Sequence, residues 1–198
     1  MKPPILLAVM IALGSTGNVV AADIHDEAHF AAPSEPAPAE LQRLRQLYFA
    51  AVQSADALEV AEREIRAMRA EDAGAPTWEL LVAAYGGALQ TLRAKHGRWP
   101  PARLRDLQEG LRTLDDVVEK YPDHAEARYL RLMSCYYLPG FLGRTSSVRE
   151  DFHALGRLLP AARSSFSRDL YVAAAGFVLE NGDLHPSDRA RLERSLAL

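Results

Sequence analysis

The chain has 198 residues, and its 23 basic and 26 acidic side chains leave a net charge of −3. Proteins that coat nucleic acid usually carry a basic excess on one face, and this sequence contains no basic block, so we expect no nucleic-acid partner. Cys135 is the single cysteine, so no disulfide can form within the chain. Its apolar neighbours predict a thiol in a helical core, the alternative being a reactive or intermolecular role.

Residues 1–22 have the pattern of a secretory signal peptide. Lys2 is followed by an apolar run from Ile5 to Leu13 and then by small residues that end at Ala21 and Ala22. This pattern predicts export and cleavage after one of the two alanines. The run is shorter than the roughly 20 apolar residues that span a bilayer, and no later run exceeds it. We therefore expect a secreted protein of the bacterial periplasm with no stable membrane span.

Residues 23–38 are rich in Ala, Pro, Glu and His and lack apolar periodicity, which predicts a flexible leader. Cleavage after Ala22 would leave a mature chain that begins Asp23-Ile24-His25. A terminal amine, two amide nitrogens and an imidazole form a square-planar set that suits Cu(II) or Ni(II). His25 is therefore a metal candidate. Cleavage after Ala21 would remove the site, and a histidine in third position also arises by chance.

Residues 39–198 carry apolar residues at helical spacing nearly to the end, and no segment alternates with period two. The pattern predicts an all-α domain built as an array of about four helical hairpins. The successive apolar stripes begin at Leu41, Leu58, Trp78, Leu104, Tyr129, Phe152, Phe166 and Leu192. The fifth helix, from about Glu126 to Leu138, is apolar nearly all round, which predicts neighbours on more than one side.

Several helix starts have recognisable capping residues. Ser54 or Asp56 suits the start of the second helix, and Thr77 that of the third. Ser147 with Glu150 has the spacing of a capping box. On the fourth helix, the stripe from Leu104 to Tyr121 predicts that Asp106 and its charged neighbours face solvent.

The hairpin around Trp78 resembles the tetratricopeptide pattern. Trp78, Leu81 and Tyr85 have the spacing of its first helix, with Val82 where the pattern has glycine. The sequence from Arg128 to Phe152 also resembles uncharacterised exported bacterial helical-repeat proteins, which brings no activity with it.

The second helix of this hairpin continues the resemblance. Gly110, Leu114 and Pro122 match its spacing, with Gly110 in the alanine position and Leu114 in the aromatic position. Tyr85 and Gly110 are 25 positions apart, where the 34-residue motif has about nine, so these helices are longer or carry an insertion. Residues 40–198 therefore resemble a divergent tetratricopeptide array. The resemblance implies a scaffold that binds segments of other proteins in a concave groove.

Two places are candidate partner contacts. Arg128 and Arg131 could face the concave side and pair with a partner's carboxylates, the alternative being an ordinary solvated face. In the turn that follows, Phe141 and Leu142 stand between glycines and precede Arg144. This turn could present an apolar anchor or cradle an anion. Alternatively it folds both apolar residues back into the core, which is the more ordinary outcome.

The sequence patterns that could indicate a metal-binding or catalytic site are weaker than those for a partner contact. Glu150-x-x-His153 has the carboxylate and imidazole spacing of di-iron bundles, but no second pair exists, and a solvated helix face is the alternative. A nucleophile elbow, a Cys–His signature and a glycine-rich phosphate loop are absent from the sequence. We therefore expect a protein-interaction module without catalysis or cofactor. The alternatives are a metal-handling protein, or a small-ligand carrier with a cavity at Tyr129, Met133 and Tyr137.

Overall fold

The computed structural model describes residues 39–70 and 76–197. In these two ranges the chain forms eight α-helices and two 3-10 turns, and no strand, so the all-α prediction is confirmed. The helices are α1 (Ala39–Gln53), α2 (Ala55–Ala70), α3 (Pro76–His96), α4 (Pro100–Lys120), α5 (Ala125–Tyr136), α6 (Thr145–Ala162), α7 (Arg168–Asn181) and α8 (Pro186–Ala197). The 3-10 turns are Gly140–Leu142 and Arg163–Ser165. The predicted signal peptide, the leader and the Asp23-Ile24-His25 site lie outside the described residues.

Consecutive helices pack in pairs, and the pairs also contact one another. α1 packs on α2, α3 on α4, α5 on α6 and α7 on α8. α3 additionally contacts α1, α2 and α5, while α6 contacts both α7 and α8. Within the described ranges, none of the helices combines the length and apolar character that crossing a membrane needs.

The core has two apolar clusters that share α5. One cluster joins α1–α4 to Ala127 and Leu130, and the other joins α6–α8 to Tyr129 and Leu132. Because successive positions of α5 face different neighbours, every residue from 125 to 132 is buried. The prediction that the fifth helix is covered on more than one side is confirmed.

α3 and α4 meet backbone to backbone at a pair of glycines. A Cβ atom on Gly87 would lie 2.9 Å from the carbonyl oxygen of Gly110, and a Cβ on Gly110 would lie 2.6 Å from that of Gly87. Real Cβ atoms do not approach that closely. Only glycine therefore fits at this crossing, which lets two long helices pack at short range.

Of the predicted helix starts, one is confirmed and the others are wrong. The Ser54 hydroxyl accepts a hydrogen bond from the Ala57 amide at 3.3 Å, as an N-cap does. α3 begins before Thr77, which therefore lies inside its first turn. α6 begins at Thr145, so Ser147 also lies inside a helix and forms no capping box.

The amino-terminal half of α4 differs from the prediction. Asp106, expected in solvent, is buried with a carboxylate oxygen 3.4 Å from Arg105 Nη2. Leu104, the first residue of the predicted apolar stripe, is 48% exposed. The buried apolar side chains of α4 begin at Leu111, and from Leu114 onward they belong to the cluster that joins α4 to α3 and α5.

Candidate partner-binding site

Two arginines of α5 converge on one carboxylate of α6. Asp151 is 0% exposed. Arg131 donates to both of its oxygens, Nε to Oδ2 and Nη2 to Oδ1, each at 2.8 Å. Arg128 Nη1 donates to Oδ1 at 2.9 Å. This bidentate pair with a third donor joins α5 to α6 through fully desolvated charges.

Further charges extend the pair toward solvent. Glu150 Oε1 accepts from Arg128 Nη1 at 2.9 Å, and Asp115 of α4 lies 3.4 Å from Arg131 Nη1. Arg144 Nη1 donates to the other oxygen of Asp115 at 2.6 Å. We call the six residues together the α5–α6 ion network: Asp115, Arg128, Arg131, Arg144, Glu150 and Asp151.

Burial and pairing act in opposite directions on the pKa values in this network. Burial raises the pKa of the Asp151 carboxyl group, while the contacts with Arg131 and Arg128 act to lower it. Burial acts to lower the pKa of Arg131, but its hydrogen bonds to Asp151 and the charges of Asp151, Glu150 and Asp115 together outweigh burial and raise that pKa. The hydrogen bond from Arg128 lowers the pKa of Glu150. Arg131 therefore stays charged and bound to the chain's own carboxylates.

The interpretation of Arg128 and Arg131 as exposed residues is wrong. Both are buried, and their donors are taken up by Asp151 and Glu150 rather than turned to a groove or to solvent. Their side chains position α6 and the turn before it. Contact with a partner is not available to them in this arrangement.

The turn between α5 and α6 exposes one large apolar side chain. Phe141 is 86% exposed, and Leu142 beside it is half-buried. The alternative in which both residues fold back into the core is therefore wrong for Phe141. Tyr137, at the end of α5, is a second exposed aromatic residue near this turn in sequence.

The turn that carries Phe141 is fixed by its own hydrogen bonds. The Leu142 amide donates to the Pro139 carbonyl, and the Gly143 amide donates to the Gly140 carbonyl, each at 3.0 Å. Gly143 has φ 71°, in the left-handed region that favours glycine. Arg144 then holds the end of the turn to Asp115. Phe141 is thus presented on a constrained turn rather than on a loose loop.

A second buried ion pair was not foreseen from the sequence. Arg45 of α1 donates to both oxygens of Glu126 on α5, Nε to Oε1 at 2.7 Å and Nη2 to Oε2 at 2.5 Å. The Tyr85 hydroxyl donates to Oε1 at 2.7 Å, and Arg45 Nη2 also donates to the Ser165 carbonyl at 3.2 Å. Burial and the neighbouring Glu126 carboxylate raise the pKa of Tyr85. This cluster ties three helices and the second 3-10 turn together.

The structure also shows the surroundings of Cys135 and of the Glu150–His153 pair. Cys135 is buried, and burial raises the pKa of its thiol to about 11, as expected of a core cysteine. Glu150, the carboxylate of the proposed Glu150–His153 pair, is bound to the two arginines of α5. Among the described residues, no three His, Cys, Asp or Glu side chains are grouped as metal ligands.

A pocket of about 440 Å³ lies where the second 3-10 turn meets α7 and α8. It is lined by Ala161, Arg163, Ser164, Phe166, Arg168, Tyr171, Val172, Ser195 and Leu196. None of the residues of the predicted cavity, Tyr129, Met133 and Tyr137, contributes to this pocket.

A scan against models of protein families, a search of curated proteins and a search of solved structures each gave no match to this chain. A function for the chain therefore rests on its own residues.

Proposed function

We propose that this chain is a non-catalytic protein-interaction scaffold of the bacterial envelope, and that Phe141 is the anchor of its contact with another protein. The observation that carries the proposal is the 86% exposure of Phe141 on a turn fixed by hydrogen bonds and by the Arg144–Asp115 ion pair. An aromatic side chain that is almost fully exposed on a fixed turn can fill a pocket on the surface of a partner. Aromatic side chains dominate the binding energy of many interfaces.

The rigidity of the turn bears on affinity. Fully burying a phenylalanine side chain contributes about 2 kcal/mol, which is roughly thirty-fold in Kd. A loose loop would lose part of that gain to ordering. Because Gly143 and Arg144 already fix the turn, most of the gain from Phe141 is retained on binding.

The proposed architecture is a tetratricopeptide-like array. Successive helix pairs in contact with the next pair support it. The close crossing of α3 and α4 at Gly110 also supports it, because Gly110 occupies a position where the pattern calls for a small residue. Such an array offers a large surface built from side chains of many helices.

The test is site-specific photo-crosslinking in the cell that produces the protein. A photoreactive amino acid replaces Phe141 in one variant and Val172 of α7, which is 50% exposed, in a control. We expect a discrete crosslinked protein from position 141 only. The same products from both positions, or none from position 141, would contradict the proposal.

The location in the envelope has its own test. Export with cleavage after Ala21 or Ala22 predicts that the mass of the protein from the periplasmic fraction corresponds to a chain starting at Ala22 or Asp23. A chain that keeps residues 1–22 and fractionates with the cytoplasm would contradict export, whatever position 141 crosslinks to.

A further inference from the structure

The turn between α3 and α4 exposes a second large aromatic residue. Trp99, the residue before α4, is 70% exposed, and Leu104 in the first turns of α4 is 48% exposed. Pro100 and Pro101 begin the helix, so the chain leaves the turn with fixed φ angles. We call residues 95–106 the Trp99 tip.

The Trp99 tip is cationic on a chain that is otherwise acidic. Its exposed basic residues are Lys95, Arg98, Arg103 and Arg105. Asp106, its one acidic residue, is buried against Arg105. The tip therefore carries +3 on a chain of net charge −3, which leaves −6 on all other residues. Asp56, at the adjoining α1–α2 turn, is an exposed carboxylate that lowers this local excess by one charge.

The tip is anchored to the helices behind it. Lys95 Nζ donates to the Val52 carbonyl at 2.5 Å, at the end of α1, and Arg103 Nε donates to the Ala94 carbonyl at 2.8 Å, near the end of α3. A carbonyl partner does not neutralise either cation. The two side chains therefore fix the tip in place and still contribute positive charge to its surface.

We propose that the Trp99 tip docks on the surface of a bilayer that contains anionic lipid. Tryptophan prefers the boundary between headgroups and acyl chains, and exposed Lys and Arg are attracted to anionic headgroups. The charge of the tip is complementary to such a surface. The proposed contact is peripheral and is made by the side chains of the tip.

A lipid surface fits this tip better than an acidic protein does. The headgroup boundary of an anionic bilayer takes up an indole and cations together, and the tip carries exposed Trp99 and Leu104 among four exposed cations. Shallow insertion of these two side chains needs no matching pocket on the other surface. The proposal is independent of Phe141 and of the scaffold function.

The experiment measures binding of the full chain to lipid vesicles. One vesicle is phosphatidylcholine alone, and the other is an equimolar mixture with phosphatidylglycerol. The test variant is Arg98→Gln/Arg105→Gln, and the matched control is Arg157→Gln/Arg191→Gln, which removes two exposed charges from α6 and α8. Residues 1–38 are the same in every variant. A difference in vesicle binding between the test variant and the control variant therefore comes from the substituted arginines.

We expect the test variant to bind the anionic vesicles about thirty-fold more weakly than the control variant, from the loss of two cations. Equal binding by the two variants would overturn the proposal. So would equal binding of the wild-type chain to neutral and anionic vesicles, the result expected if the tip instead serves an acidic protein.

A second readout follows Trp99 directly. The chain has two tryptophans, so Trp78→Phe leaves Trp99 as the single indole fluorophore. We expect its emission to shift to shorter wavelength on anionic vesicles and to be quenched by brominated lipid. In addition, Trp99→Ala should weaken binding without lowering Tm, because the side chain is mostly exposed. Unchanged emission on vesicles that bind the protein would overturn the proposal.

Discussion

Glu126→Gln tests whether the buried Arg45–Glu126 pair stabilises the fold. Both side chains are almost fully buried, and Glu126 accepts two hydrogen bonds from Arg45 and one from Tyr85. Glutamine keeps the shape but removes the negative charge and turns one acceptor into a donor. The Arg45 guanidinium then stays buried without a counter-charge, which costs about 3–5 kcal/mol. Against a typical unfolding free energy of about 5–15 kcal/mol, that loss is readily measured.

The assay is urea unfolding followed by far-ultraviolet circular dichroism. Glu119→Gln is the matched control, because Glu119 is exposed on α4 and should change stability by less than about 0.5 kcal/mol. The triple variant Arg45→Met/Glu126→Leu/Tyr85→Phe removes all three polar groups. It should lose less than Glu126→Gln alone, because no charge remains buried. A Glu126→Gln variant as stable as the control, or a triple variant less stable than Glu126→Gln, would refute the reasoning.

Three further predictions concern packing, pH and reactivity. Gly110→Ala should destabilise the protein by about 1–3 kcal/mol, since its Cβ would meet the backbone of α3. The control Gly176→Ala should not destabilise it, because a Cβ at Gly176 meets nothing within 4 Å. Equal midpoints of urea unfolding for the two variants would contradict the close crossing of α3 and α4. His124 accepts a hydrogen bond from the Ala127 amide of α5 through Nδ1, and burial lowers its pKa below 6.5. The free energy of unfolding should therefore be largest above pH 6.5 and fall as the pH drops below it. Asparagine can also cap a helix, so His124→Asn should keep the cap and reduce this dependence of stability on pH. An unchanged pH dependence in His124→Asn would contradict the role assigned to His124. With its pKa near 11, Cys135 should react with iodoacetamide at neutral pH about 100-fold more slowly in the folded protein than in urea, and comparable rates would show that the thiol is accessible.

The helices could be predicted from the sequence because their signals are local. The spacing of apolar residues repeats within each helix, and the Ser54 cap depends on an amide three residues away. The burial of α5 on several sides was predicted from its apolar residues, which occupy more than one face of the helix.

The buried charges could not be predicted, because their partners are far away in sequence. Arg45 and Glu126 are 81 positions apart, and Arg131 and Asp151 are 20 apart. A charged residue on an amphipathic helix ordinarily faces solvent, so the sequence pattern predicted that Arg128 and Arg131 lie at the protein surface. Their burial depends on Asp151, a carboxylate supplied by another helix.

Phe141 and Trp99 differ in how far the sequence indicates their exposure. The turn at Phe141 allowed either an outward or an inward side chain, and the end of the turn is held by a contact between Arg144 and Asp115 of α4, a residue 29 positions away in the sequence. The cations around Trp99 were present in the sequence, but glycine, proline and tryptophan interrupt them. They form a basic surface only when the α3–α4 turn brings both helix ends together.

The most direct test of the scaffold function uses the protein that crosslinks to position 141. Its affinity for the purified wild-type chain is compared with its affinity for Phe141→Ala and for the control Val172→Ala, and Tm is measured for all three chains. We predict a Kd at least about ten-fold higher for Phe141→Ala, little change for Val172→Ala and the same Tm throughout. Equal affinity of Phe141→Ala and the wild-type chain would contradict the role of Phe141 as the anchor.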